Sequence, residues 1–121
     1  MKISIIIKTK QTQRNTKKQM ALIINNLEDF ETTIAIKNVV IAIFFSKTCA
    51  QCKVMAPLLD EMIKQTPEIT FIKVDIEEGD EICSKYVVRS VGTFIRFING
   101  RLIDHISGKG KDSLIQLIQM E

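Results

Sequence analysis

The spacing of apolar residues changes several times along this chain, and each change marks an element. Ala21 to Ile24 is a short apolar run that predicts a first strand. Asn25 or Asn26 can cap the helix that follows. Leu27, Phe30 and Ile34 keep helical spacing there, with Glu28, Asp29 and Glu31 in the early turns, where the helix dipole favours acids. Val39 to Phe45 is apolar without a break and rich in β-branched and aromatic residues, the pattern of a central strand buried on both faces. Ser46-Lys47-Thr48 ends it. From Ala50 to Gln65 the period is helical again, with Met55, Leu58, Leu59, Met62 and Ile63 on one face. Pro57 is expected to kink this helix and Pro67 to stop it.

Ile69 to Ile76 alternates, with Ile69, Phe71 and Lys73 on one side and Ile72, Val74 and Ile76 on the other. It reads as a third strand. The acidic turn Glu77-Glu78-Gly79-Asp80 leads to a short helix ending near Tyr86. Thr93 to Ile98 predicts a strand, Asn99-Gly100 a tight hairpin, and Arg101 to Ile106 the returning strand. Gly108 and Gly110 end that strand, and Leu114, Leu117 and Ile118 mark a closing amphipathic helix. Early strands separated by helices pair in parallel, while the hairpin is antiparallel. The expected fold is α/β: a central mixed five-stranded sheet flanked by about four helices.

Charge divides the chain in two. Residues 1–27 hold six basic side chains and no acid, whereas the remainder holds 11 basic and 14 acidic ones, a net −3. The overall +3 therefore belongs to the N-terminal segment and does not argue for a nucleic-acid-binding domain. Ile3 to Ile7 is too short for a secretory core and no small-residue cleavage site follows. Residues 1–19 read as a basic extension, expected to be disordered, ahead of a domain spanning 20–121. No apolar run approaches the roughly 20 residues that span a bilayer. Three cysteines are too few for a disulfide framework, which points to a reducing compartment. A cytoplasmic location follows, with organellar targeting by the basic extension left open.

The chemistry concentrates at Cys49 and Cys52. Cys49 falls between a buried strand and a helix. Free amides and the dipole at a helix N-terminus stabilise an anion, so the pKa of Cys49 is expected to fall, with Lys47 and Lys53 adding positive charge nearby. Cys52 lies one turn on, deeper in the helix. Cys49 is then the nucleophile that attacks a substrate disulfide, and Cys52 the resolving thiol that releases the reduced product. A mononuclear zinc site wants four ligands, and only Cys83 and His105 could join the pair, so no metal or other cofactor is expected. Cys83 reads as a small buried apolar side chain, His105 as an exposed and inert imidazole. The Glu77 to Glu81 stretch reads as a solvated turn.

These residues resemble the thioredoxin family from about Leu22 to Met120. The strongest block is Thr48-Cys49-Ala50-Gln51-Cys52-Lys53 followed by Val54-Met55-Ala56-Pro57. Further matches are Phe71-Ile72-Lys73-Val74-Asp75-Ile76, Tyr86-Val87-Val88-Arg89-Ser90-Val91, Phe97-Ile98-Asn99-Gly100 and Gly108. The resemblance implies a thioredoxin fold with the second strand central, a protein-disulfide reductase activity, protein disulfides as substrates, and a thioredoxin-reductase-type electron donor. A monomer that binds neither nucleic acid nor membrane is expected. Thr48, Val91 and Gly92 are the implied substrate-binding positions, and Lys53 and Lys73 the candidate pKa-tuning ones, although with Ile43 on the second strand Lys73 reads rather as a strand lysine that snorkels to water.

Four positions depart from the family. Thr48 replaces a tryptophan before the first cysteine, and Ala50-Gln51 replaces Gly-Pro between the two. Ile43 stands where many members bury an aspartate, which leaves Lys73 without that partner. Gly92 stands where the family has a cis-proline facing the cysteines. A cis bond without proline costs about 3 kcal/mol, so Val91–Gly92 is expected to be trans. These departures also motivate two alternatives: a redox-weak binding module with the same fold, and a dimer sharing a metal or iron–sulfur cluster through its cysteine pairs.

Overall fold

The computed structural model describes residues 21–107 together with 115, 116 and 118. The elements among residues 21–107 follow in the order β1 (Leu22–Ile23), α1 (Leu27–Ile36), β2 (Val39–Phe45), α2 (Ala50–Gln65), β3 (Thr70–Asp75), α3 (Asp80–Lys85), β4 (Thr93–Ile98) and β5 (Arg101–Ser107). The strands form one mixed sheet in the order β1-β3-β2-β4-β5. β2 lies in the middle, parallel to β3 and antiparallel to β4. The expected basic extension lies outside the described residues, as do Gly108, Gly110, Leu114 and Leu117. Of the closing helix, Ile115, Gln116 and Ile118 are helical, and Ile118 packs on the core.

Alternation along β2 explains why the sheet is covered on both sides. Val40, Ala42 and Phe44 face one cluster, which contains Phe30 and Ile34 of α1 and Ile82 and Cys83 of α3. Ile41 and Ile43 face the other, against Leu59 and Ile63 of α2. β3 divides the same way, with Ile72 and Val74 on the α1 side and Phe71 on the α2 side. Phe30, Tyr86 and Phe97 add a triangle of rings whose centroids lie 5.3 to 5.8 Å apart, tilted or edge-on, the geometry that ring quadrupoles prefer.

Local signals account for the element ends. Of the two asparagines before α1, Asn26 is the cap: its Oδ1 accepts from the Asp29 N–H at 2.8 Å. Asn25 does something else, accepting from the Asp75 N–H at 2.8 Å and so tying β1 to β3. Asn99 and Gly100 have φ of 52° and 84°, the pair of left-handed residues that a tight hairpin turn requires. α2 remains continuous through Pro57. A proline inside a helix costs about 3 kcal/mol. Burial of Leu59 and Ile63 beyond it contributes about 1.5–3 kcal/mol each, enough to hold the second half in place. The first strand is shorter than expected: Leu22 and Ile23 form it, both exposed on the sheet edge, and Ile24 adds one N–H to the Lys73 carbonyl of β3 at 3.1 Å.

One position is strained. α3 ends in a left-handed turn in which the Val88 N–H donates to the Cys83 carbonyl at 2.8 Å. The residue that makes the turn is Val87, with φ of 57° and its side chain 59% exposed. This place after a helix is normally a glycine, because a β-branched side chain clashes with its own backbone there. Replacing Val87 with glycine relieves that clash but frees the unfolded chain, so the two effects partly cancel. Val87→Gly is expected to raise the unfolding free energy by about 0.5–1 kcal/mol, read as a higher urea midpoint at unchanged slope.

Candidate active site

β2 delivers the chain to the end of the sheet, and α2 begins almost at once. The helix is capped by a sulfur: Cys49 is the N-cap, and its Sγ accepts from the Cys52 N–H at 3.1 Å. A side-chain acceptor at this place satisfies one of the orphan amides of the first turn. The same contact brings positive partial charge to the Cys49 sulfur and sets the two cysteines one turn apart on the exposed end of the helix. Both are partly buried and neither is in a disulfide.

Burial pushes the Cys52 thiol above the ordinary value of about 9, and its hydrogen bond to Cys49 pushes the same way. The Ser46 backbone amide and the Lys73 ammonium pull in the other direction without reversing the shift. A thiol that donates to a neighbouring sulfur is harder to ionise, while the sulfur that accepts becomes the better anion. The cysteines are therefore unequal before any substrate arrives.

The loop between β2 and α2 is tied to the acidic turn after β3. Ser46, only 5% exposed, is the centre of the tie. Its carbonyl accepts from the Cys49 N–H at 3.1 Å. Its hydroxyl lies 3.0 Å from the Thr48 hydroxyl, accepts from the Thr48 N–H at 3.3 Å, and reaches the Glu77 carboxylate at 3.4 Å. Lys47 pairs with Glu78 at 3.3 Å, and Asn25 donates to the other oxygen of Glu78 at 3.2 Å. Two sequence expectations change here. Glu77 and Glu78 are more than a solvated turn, since both reach across to the loop before Cys49. Lys47, expected to add charge beside Cys49, has its ammonium held by Glu78 instead. Ser46 drew no notice in the sequence because a lone serine after a strand reads as a simple breaker.

An open cleft adjoins both cysteines. Ile43, Phe45, Met55 and Phe94 form much of its wall, and Val91, Gly92 and Lys73 complete it. The structure thus gathers Cys49, Cys52, Lys73, Val91 and Gly92 around one space, and leaves Thr48 and Lys53 off its lining. Lys53 is exposed on α2. No cis peptide occurs among the described residues, so Val91–Gly92 is trans as expected. Gly92 takes φ of 83°, a conformation that proline cannot adopt, and its N–H donates to the Phe44 carbonyl at 3.2 Å. That bond pins Val91 beside the cysteines. Among the described residues no three histidine, cysteine or acidic side chains converge as metal ligands. Cys83 is buried as expected, which with nearby Asp80 and Asp75 raises its thiol pKa. His105 is exposed, with its ring Nε2 3.2 Å from the Tyr86 carbonyl.

The family model for thioredoxin matches residues 21–120. Thioredoxin 1 of Plasmodium falciparum is 34% identical over 100 residues, covering 83% of this chain and 96% of its own. The thioredoxin of Chlamydia trachomatis is 37% identical over 92 residues, covering 75% and 89%. Among solved structures, a Plasmodium falciparum thioredoxin superposes with a TM-score of 0.77 at 33% identity, covering 82% of this chain and 97% of that one. Mitochondrial thioredoxin 3 of Saccharomyces cerevisiae, in its oxidised form, gives 0.77 at 27% identity, covering 87% and 97%. A mixed sheet with the strand before the cysteines at its centre, and a dithiol at the N-terminus of the next helix, define a thiol–disulfide oxidoreductase. The chain belongs to the thioredoxin family.

The inequality of the two thiols has a direct readout. In ultraviolet thiolate titrations, Cys52 is expected to ionise only above pH 9 in the reduced protein. In Cys49→Ala the hydrogen bond and the negative charge that oppose ionisation are gone, and the Cys52 titration is expected to move down. A Cys52 titration that stays in place would show that Cys49 does not control its neighbour.

Proposed function

We propose that this chain reduces protein disulfides, with Cys49 as the attacking thiol and Cys52 as the resolving one. The single observation that carries the reading is the 3.1 Å bond from the Cys52 N–H to the Cys49 sulfur at the first turn of α2. It stabilises charge on the Cys49 sulfur and holds the second thiol within one turn of it.

The reaction runs in two exchanges. The Cys49 thiolate attacks one sulfur of the substrate disulfide, forms a mixed disulfide and expels the other sulfur as thiolate. Cys52 then loses its proton and attacks the Cys49 sulfur, closing Cys49–Cys52 and releasing the reduced substrate. The second step is the harder one here. The raised pKa of Cys52 must be overcome with Ile43, an apolar residue, beside Lys73 in the strand register. The Lys73 ammonium and the Ser46 amide are the groups that favour the Cys52 anion, so both assist release. Lys53 contributes at most a screened field from the exposed side of α2.

Substrate binding falls to Val91, Gly92 and Thr48. The Gly92 N–H is engaged with the end of β2, which leaves the Val91 backbone to pair with an extended peptide bearing the target disulfide. The threonine offers less apolar contact than the family's tryptophan, so affinity for protein substrates is expected to be modest. Electrons come from a reductase of the thioredoxin-reductase type. The chain acts as a monomer in the cytoplasm; its three cysteines, too few for a disulfide framework, support the reducing compartment in that reading.

Turnover of a disulfide-containing protein with dithiothreitol tests the roles. Cys49→Ser is expected to abolish it. Cys52→Ser is expected to accumulate a mixed disulfide at Cys49, visible as an adduct by mass spectrometry. If both variants turn over as the parent does, neither sulfur has the role given to it.

A further inference from the structure

Lys73 holds an unusual place beside the cysteines. It lies on β3 with Ile43 of β2 and Ile23 of β1 as its lateral neighbours in the sheet, so no carboxylate flanks it in either direction. Its ammonium sits 5.2 Å from the centre of the Phe45 ring, and among the described residues the ion pairs are Lys47–Glu78 and Lys85–Glu31, neither of which involves it. Among the described residues it is also the only charged side chain on the lining of the cleft that holds Cys49 and Cys52. An apolar recess with one convergent cation and a reactive sulfur at its side has the make-up of a site for a small anionic group.

We propose that this cleft takes low-molecular-weight disulfides that carry a carboxylate, with Lys73 binding the carboxylate while Cys49 attacks the sulfur. This rests on the disulfide-reductase reading and names a second substrate class for the same dithiol. The Cys49 thiolate attacks one sulfur of the small disulfide, a Cys49–sulfur bond forms, the original sulfur–sulfur bond breaks, and one half leaves as a thiolate. Cys52 then displaces the second half. The protein dithiol loses two electrons, the small disulfide gains them, and an external dithiol such as dithiothreitol restores the pair.

Charge decides which small disulfides fit. An anion beside Lys73 replaces water on an ammonium that already lies against an aromatic ring and apolar walls, whereas a cation there would be repelled. A partly exposed pair of this kind corresponds to about a fivefold preference, and the preference shrinks as salt screens it.

The test compares three small disulfides of similar length: a neutral hydroxyethyl disulfide, the disulfide of 3-mercaptopropionic acid, and cystamine. Each protein's kcat/KM on the neutral compound is its own denominator, so a change in thiol reactivity cancels. The parent is expected to prefer the anionic over the cationic compound about fivefold each way around the neutral one. Lys73→Gln should flatten that series, Lys73→Arg should keep it, and Lys64→Gln, which removes a distant exposed charge, should leave it as it is. Alkylation gives a readout without turnover. The ratio of iodoacetate to iodoacetamide rates at Cys49 should fall about fivefold in Lys73→Gln. A flat series in the parent, or a series and alkylation ratio that Lys73→Gln does not change, overturns the proposal. Failure to reduce even the neutral disulfide would instead sink the reductase reading, with the alkylation ratio still deciding the role of Lys73.

Discussion

The first turn of α2 is closed by a sulfur, and much else in the molecule exists to make that possible. A helix N-terminus carries amides with no partner in the helix, and here one of them finds the Cys49 side chain. For that to happen the chain must leave β2 and turn within a few residues, with Cys49 outside the helix and Cys52 inside it. The sheet supplies the rigid edge from which the turn is made, because β2 is hydrogen-bonded on both sides and buried on both faces. The loop is then held from the far side of the sheet edge by Ser46 and the acids of the turn after β3. A cap of this kind is both structural and chemical. The amide that steadies the helix also favours negative charge on the sulfur.

The departures from the family's usual residues form a coherent set when placed in space. Ile43 and Gly92 both border the cleft beside the cysteines, and Lys73 projects into the same space. Among the described residues the lining of the cleft is apolar but for the two cysteines and carries one cation, Lys73. The resolving thiol loses a nearby base but keeps the Lys73 charge and the Ser46 amide. At Cys52 the Lys73 charge and the Ser46 amide are the groups that favour the anion, against the burial that opposes it.

Periodic burial made most of the architecture legible from residues alone. The unbroken apolar run of β2 could only be a strand covered on both sides, and the alternation of β3 assigned its two faces correctly. Asn99-Gly100 named its own turn, since few other pairs accept two positive φ values in succession. The cysteine pair was equally plain, because two reactive side chains one helical turn apart after a buried strand have few other uses. What local pattern could not supply was partnership across distance. Asn25 and Asn26 are equivalent as caps in sequence, and only the docking of β1 beside β3 gives Asn25 its other partner. Glu77 and Glu78 read as a solvated turn until folding places them opposite Ser46 and Lys47.

The sequence by itself determined the fold class, the place of the dithiol and the presence of Ile43 and Gly92 at the positions that border it. Each of these depends on residue type and on neighbours a few positions away. Tertiary structure alone decided that Lys73 faces the same space as the cysteines, that Ser46 links them to the acidic turn, and that Val87 is forced into a left-handed turn. Those outcomes depend on the register of strands 30 or more residues apart, and register is set by the packing of the whole sheet against its helices.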